Sequence, residues 1–213
     1  MFHHHGVEEP VSGIVLAIAT HNEGKKREYQ LLLKDFPLRI KALSDFQKAL
    51  NLEEEGTTFE EVAKNKARTA SRLLNIPALA DDSGLAVEAL DGAPGIFSAR
   101  YAGNSADDYQ NNLKLLKNMN GREKRDATFV CCIAIAKPGG QVLTYTGRCS
   151  GRILRKPIGT HGFGYDPLFY YPPLRKTFAQ LTPEEKNRVS HRGKAMRRLA
   201  NDFENMLAWL EDQ

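Results

Sequence analysis

Residues 14–19, Ile-Val-Leu-Ala-Ile-Ala, form a short unbroken apolar run rich in β-branched side chains, the pattern of a strand buried on both faces of an α/β sheet. Directly after it, Thr20-His21-Asn22-Glu23-Gly24-Lys25 leads into a stretch whose Tyr29, Leu32, Leu33 and Phe36 share one helical face. A buried strand, a polar glycine-containing turn and a helix in succession are the unit from which α/β sheets are built. The turn also aims backbone N–H groups and the positive end of a helix dipole at one point, where Lys25 adds a full charge. It reads either as an anion-binding loop or as an ordinary strand-to-helix turn with an exposed lysine. It is not a Walker A loop, because Lys26 stands where Ser or Thr should follow the Gly-Lys pair.

Ala80-Asp81-Asp82-Ser83-Gly84 follows a second apolar run, Ile76 to Ala80. Adjacent ionised carboxylates repel, so a fold that keeps them together supplies a cation or protonates one of them. Such a corner can hold a metal and a water. The alternative is a strand that ends in an Asx-type turn, with Asp and Ser capping it and Gly supplying a positive φ; Leu85 to Ala89 then runs on as a further extended segment. Upstream, Glu53-Glu54-Glu55-Gly56 reads as a solvated loop, and Thr58-Phe59-Glu60-Glu61 as a capping box. Phe59, Val62, Ala63, Lys66, Ala67, Ala70, Leu73 and Leu74 then recur at helical spacing. Lys66 interrupts that apolar stripe, so it either snorkels to the edge or reaches a buried anion.

Leu38 to Leu43 reads as a second strand, and Asp91-Gly92-Ala93-Pro94-Gly95 as dense turn chemistry. A helix is expected over Ser105 to Asn118 with a Ser105-x-x-Asp108 cap. Thr128 to Ala136 and Val142 to Cys149, joined by Lys137-Pro138-Gly139-Gly140-Gln141, predict a hairpin, which makes the sheet mixed. Gly159-Thr160-His161-Gly162-Phe163-Gly164-Tyr165-Asp166-Pro167 suits either a loop that brings backbone and stacking rings to a flat ligand or a tight bulge loop. Thr182-Pro183-Glu184-Glu185 starts a helix with cap, proline and box. The last helix carries Met196, Leu199, Ala200, Phe203, Met206, Leu207 and Leu210 on one face, approached by the polar and basic stretch Lys186 to Arg192.

At 213 residues, 41% hydrophobic and 26% charged, the chain matches a globular protein of one large domain or two lobes. Its formal charge of +4 is too mild to diagnose a nucleic-acid binder but suits a small polyanion. The opening Met1-Phe2-His3-His4-His5-Gly6-Val7-Glu8-Glu9-Pro10 lacks the basic and apolar regions of a secretory signal, and residues 1–12 are expected to be a disordered leader or tag remnant. No apolar run approaches the roughly 18 residues of a membrane span. Of three cysteines, Cys131 and Cys132 are neighbours on a strand-like run and so point to opposite faces; reduced thiols and a cytoplasmic location are expected.

Together, Thr20-His21-Asn22-x-Gly24-Lys25, Ala80 to Leu85, Gly92-Ala93-Pro94-Gly95-Ile96-Phe97-Ser98-Ala99-Arg100-Tyr101, Gly162-Phe163-Gly164-Tyr165-Asp166-Pro167, and Glu185-Lys186 with Ser190-His191-Arg192 closely resemble the inosine/xanthosine triphosphate pyrophosphatase family. The motifs stand in the family's order and span Ile14 to about Leu210. The resemblance implies an elongated, two-lobed α/β fold over 13–213 with a long mixed sheet and a cleft between the lobes. It also implies a homodimer and Mg²⁺-dependent hydrolysis of non-standard purine nucleoside triphosphates (ITP, dITP, XTP) to monophosphate and pyrophosphate. Carried over by position, the triphosphate loop falls on Thr20, His21, Asn22, Glu23, Gly24 and Lys25, with Lys66 near the phosphates. The metal carboxylates fall on Glu54 and Asp82, Asp82 being also the general base, with Asp81 and Ser83 beside it. The base pocket falls on Phe163, Gly164, Tyr165, Asp166, Lys186, His191 and Arg192, whose donors, with His191 protonated, would meet the six-oxygen of hypoxanthine or xanthine. His21, Val62 and His161 depart from the family's usual residues, and none of these changes removes a charged or catalytic group.

Three rivals are weaker. A non-catalytic nucleotide sensor has no need of Asp81, Asp82 and Glu54 poised at water. A nucleic-acid module would use Arg188, Arg192, Lys194, Arg197 and Arg198, which open a helix whose apolar face is spent on packing. The related Maf-type pyrophosphatases lack the paired aspartates and the Phe-Gly-Tyr-Asp stretch. The expected partner is a small nucleotide, not nucleic acid or membrane.

Overall fold

The structure, a computed structural model, describes residues 13–46, 50, 52 and 55–212. The leader expected at 1–12 and the glutamates Glu53 and Glu54 lie outside the described residues. The apolar run at the start forms β1 (Val15–Ile18), and α1 (Glu23–Leu33) follows after the Asn22 cap. Then come β2 (Arg39–Ala42), α2 (Phe59–Leu74), β3 (Ala78–Val87), α3 (Asp108–Asn118), β4 (Asp126–Ala136) and β5 (Val142–Ile153). The short strands β6 (Phe169–Tyr171) and β7 (Lys176–Thr177) precede α4 (Pro183–Val189), α5 (His191–Asn201) and α6 (Phe203–Glu211). The strands make one mixed sheet in the order β2-β1-β3-β4-β5-β6-β7, parallel around β1 and antiparallel from β3 onward.

Strands β4 and β5, 11 and 12 residues long, each reach roughly 36–40 Å at about 3.3 Å per residue, further than one core fills. The apolar packing accordingly divides along their length. At one end Leu16, Ile18, Tyr29 and Ile133 pack under α5 and α6 on one face, while Ala17, Ala80, Cys132 and Ala134 meet Ala63, Ala67 and Ala70 of α2 on the other. At the far end Leu85, Val87, Phe129, Phe169 and Phe178 form a separate cluster. Residues 81–84 of β3 lie where the lobes meet and belong to none of the three clusters. Cys131 and Cys132 fall in cores on opposite faces as expected, and all three cysteines are free and buried.

Four local expectations are corrected. The Asp-Asp-Ser-Gly stretch is not a turn: β3 runs unbroken through it, with Ala78 to Val87 each opposite a β4 residue. Gly84 is there because a Cβ would sit 2.3 Å from the Gly95 carbonyl oxygen and 2.4 Å from Ser98 Oγ, so the absent side chain admits the 3₁₀ turn Gly95–Arg100 against the strand. Helix α3 begins at Asp108, because Asp107 and Gln110 supply both halves of a capping box, at 2.7 and 3.0 Å, and Ser105 is left outside. The expected last helix is two, α5 and α6, divided at Asp202, whose carboxylate accepts from Tyr145 Oη and Asn205 Nδ2 at 2.8 Å each; Ala200 faces solvent. Thr58 caps α2 as expected, but the Glu61 carboxylate turns to Thr57, and Leu73 at 38% exposure lies off the packed face.

Helix α5, which brings His191 and Arg192 to the sheet, is seated against Gly147 of β5. A Cβ there would stand 2.1 Å from the His191 carbonyl oxygen and 2.5 Å from Ala195 N, both backbone atoms. Gly147→Ala is therefore expected to cost about 2 kcal/mol, a fall in Tm of about 4–8 °C. Gly139→Ala, with nothing within 4 Å of the added carbon, should leave thermal unfolding within about 0.5 kcal/mol of the parent. Equal midpoints for the two variants would remove the close approach from the account.

Candidate active site

Alternation along a strand sends Asp81 and Asp82 to opposite sides. Asp82, 5% exposed, opens with Ser83 on a cleft cavity of about 300 Å³ that Asn22 and Lys25 border from α1 and Phe163, Tyr165 and Asp166 from the loop after β5. Lys186, His191 and Arg192 close the same cavity from α4 and α5. Asp81, 1% exposed, turns instead into a chain of buried charges.

That chain alternates in sign. Asp81 Oδ2 lies 3.1 Å from Lys25 Nζ and 3.1 Å from Arg192 Nη2, which also donates to Ser83 Oγ at 2.8 Å. Arg192 Nη1 donates to Glu28 of α1, and Lys186 Nζ reaches Glu28 at 2.8 Å and Asp166 at 2.5 Å. Asp166 Oδ2 finally accepts from Phe163 N at 2.9 Å. Burial penalises the Asp81 charge, but Lys25, Arg192 and Lys66 outweigh it and hold the carboxyl far below the usual range. Burial likewise pushes Glu28 up, against Arg192 and Lys186, which leave it lowered. Lys186 and Arg192 lose by burial and gain more from their carboxylates, so both are raised. Asp166 is raised, because burial prevails over the pull of Lys186. Glu28 escaped the sequence reading: one glutamate on the far side of a helix stripe carries no local signal that two cations from helices more than 150 residues on will meet it.

The loop at Phe163 to Asp166 forms the other wall. The Phe163 ring lies directly over Gly24, where a Cβ would be 2.6 Å from Cδ1. Lys186 Nζ sits 4.6 Å from the ring centroid. Tyr165 Oη donates to the Ser98 carbonyl at 2.8 Å. Phe163 also borders a second cavity of about 460 Å³, lined by Arg27, Glu28, His161, Thr182 and Lys186, so Phe163 and Lys186 border both spaces. His191 stacks on Phe129 at 4.6 Å and 8°. Burial, with Arg192 and Lys186 nearby, drives its pKa well below the ordinary value, so the imidazole is neutral and the protonated donor expected from sequence is corrected. The Nη atoms of Arg192 are committed to internal acceptors, whereas Arg192 Nε and His191 Nδ1 are buried with no hydrogen-bond partner among the described residues.

The loop after β1 divides. Asn22 Oδ1 accepts from Lys25 N at 2.9 Å and caps α1, and Asn22 and Lys25 face the cleft. Thr20, His21 and Glu23 border a neighbouring pocket of about 280 Å³ with Lys26 and Ser44, where His21 Nε2 lies 2.9 Å from the Leu50 carbonyl. Gly24 faces the Phe163 ring. Lys66 is buried on α2 and its charge reaches Asp81, in line with the buried-anion reading. Glu54 lies outside the described residues. Among the described residues no group of three or more His, Cys, Asp or Glu is arranged to hold a metal ion. A hard carboxylate such as Asp82, on one cavity with Lys25, suits an ion that keeps several of its waters, as Mg²⁺ does. No helix among the described residues is long and apolar enough to cross a membrane.

Removing one partner of a buried ion pair leaves the others uncompensated, so Glu28→Gln is expected to cost about 3 kcal/mol at pH 7. Because the folded pKa of Glu28 is lowered from 4.5, its contribution is complete above that value and fades as pH falls through the folded pKa. The gap between parent and variant in urea unfolding should thus narrow below about pH 4. A gap that stays constant from pH 7 to pH 3 would deny Glu28 its charge in the folded state.

Comparison with known proteins agrees with this geometry. The model of the Ham1 family matches residues 16–202. A dITP/XTP pyrophosphatase of Desulfotalea psychrophila is 50% identical over 93% of this chain and 89% of its own length, and one of Syntrophobacter fumaroxidans is 52% identical over 92% and 84%. The Ham1 protein structures from Staphylococcus aureus and Coxiella burnetii superpose with TM-scores of 0.81 and 0.83, at 41% and 40% identity, covering 90% of this chain and 99% of each of theirs. A seven-stranded mixed sheet, a cleft at its midpoint and a family match across most of the chain lead to one assignment: the chain belongs to the Ham1 family.

Proposed function

We propose that the protein hydrolyses non-standard purine nucleoside triphosphates, those of inosine, deoxyinosine and xanthosine, to the monophosphate and pyrophosphate, and so cleanses the nucleotide pool. The observation that carries this reading is one cavity bordered at once by Asp82, by Lys25 of the phosphate loop and by the Phe163 to Asp166 loop. The relatives' name, dITP/XTP pyrophosphatase, points the same way. Lys25, with Lys66 of α2, neutralises phosphate charge, and Asn22 holds the loop that presents it. Asp82 takes a proton from water as the water oxygen bonds to the α-phosphorus and the bond to the β-phosphate oxygen breaks, releasing pyrophosphate. Mg²⁺, held by Asp82 with Glu54, would supply positive charge to the phosphate oxygens.

Base choice follows from donors and acceptors. The six-oxygen of hypoxanthine and xanthine is an acceptor, and Lys186 and Arg192 are buried donors bordering the cavity. Adenine presents an amino donor there, and a site built for one can reject the other by roughly 10⁴-fold. Residues 13–213 act as one domain of two lobes, in a cytoplasmic homodimer whose partner is a small nucleotide rather than nucleic acid or membrane; the three free, buried thiols suit a reducing compartment.

Incubation with inosine triphosphate and Mg²⁺ is expected to yield monophosphate and pyrophosphate, and Asp82→Asn to lower kcat by at least ~10²-fold. Diphosphate plus orthophosphate as products would overturn the reaction, and near-parental turnover of the metal-saturated variant would remove Asp82 from it.

A further inference from the structure

We propose that Asp108 and Asn112 of α3 are positioning residues that clamp Gly164 and thereby set the base-side wall of the cleft, an inference that rests on reading the cleft as a purine nucleotide site. Gly164 is held at φ 61°, a conformation open to glycine at little cost. The same residue type is the one with most freedom to leave it. Two side chains one helical turn apart remove that freedom. Asp108 Oδ2 accepts from Gly164 N at 2.7 Å, and Asn112 Nδ2 donates to the Gly164 carbonyl at 2.8 Å.

The N–H belongs to the peptide plane shared with Phe163 and the carbonyl to the plane shared with Tyr165, so both planes flanking the Gly164 Cα are fixed from one helix face. From these planes hang the Phe163 ring over Gly24 and the Tyr165 ring anchored at Ser98. Asp108 is free for this task because Asp107 caps α3. Asn112 is committed to it, since its Oδ1 is buried with no hydrogen-bond partner among the described residues while its Nδ2 meets Gly164.

The test compares the double variant Asp108→Ala with Asn112→Ala, the single variant Asp108→Asn, and the parent chain. Hydrogen exchange at residues 160–168 needs no ligand: the double variant should exchange there about tenfold faster with other segments unchanged, as for loss of two hydrogen bonds. Calorimetric titration with inosine monophosphate should show binding about tenfold weaker, while inorganic pyrophosphate, which lacks a base, stays within about twofold. Asp108→Asn keeps an acceptor oxygen and should behave as the parent; a loss as large as in the double variant would mean that the charge of Asp108, and not its grip on Gly164, matters. Unchanged exchange in the double variant, or equal weakening of both ligands, would overturn the clamp. A parent protein that binds pyrophosphate but not inosine monophosphate would instead overturn the purine reading, with exchange still deciding the clamp.

Discussion

Six charged side chains in alternating order, Lys25, Asp81, Arg192, Glu28, Lys186 and Asp166, run through the middle of the molecule. Burying charge costs several kcal/mol per ion unless partners and hydrogen bonds offset it. Here each member meets the opposite sign on at least one side, and the ends lie at Lys25 after the β1 turn and at Phe163 N. The chain joins α1, β3 and α5, which share one apolar cluster, to α4 and the loop after β5, which pack with another. Hydrophobic burial builds the lobes; the charges hold their working surfaces in register.

The same chain explains why two aspartates stand side by side. Alternation along the strand turns their side chains opposite ways, so they meet different partners. Asp81 spends its charge on Lys25 and Arg192, and its pKa is held down by them. Asp82 borders the cleft with Lys25 and Ser83. One carboxylate thereby holds two cations that border the cleft, and the other borders the cleft itself.

Much of this was legible in the chain. The buried strand at 14–19, the turn and helix that follow it, the β4–β5 hairpin and the start of α4 all follow from local rules that tertiary packing did not override. The family motifs brought Lys25, Asp82, Lys186 and Arg192 together, and the fold puts them around one cavity. What stayed hidden depends on contacts distant in sequence. The stretch at residues 81–84 looks like a turn, yet β4 offers ladder partners for every residue of it, and Gly84 serves a close approach rather than a positive φ. His191 looks like a protonated donor until Phe129 and two cations surround it. Glu28 carries no signal and Asp108 only that of a helix cap, because the partners they meet lie 158 and 56 residues away.

The division between the two aspartates is most directly tested by urea unfolding of Asp81→Asn and Asp82→Asn side by side at pH 7 with nothing bound. Loss of Asp81 leaves Lys25 and Arg192 without their shared buried carboxylate and is expected to cost about 3 kcal/mol. Loss of the Asp82 charge leaves the ion pairs of Asp81 with Lys25 and Arg192 in place and is expected to cost less than loss of Asp81. A larger loss for Asp82→Asn than for Asp81→Asn would contradict the account.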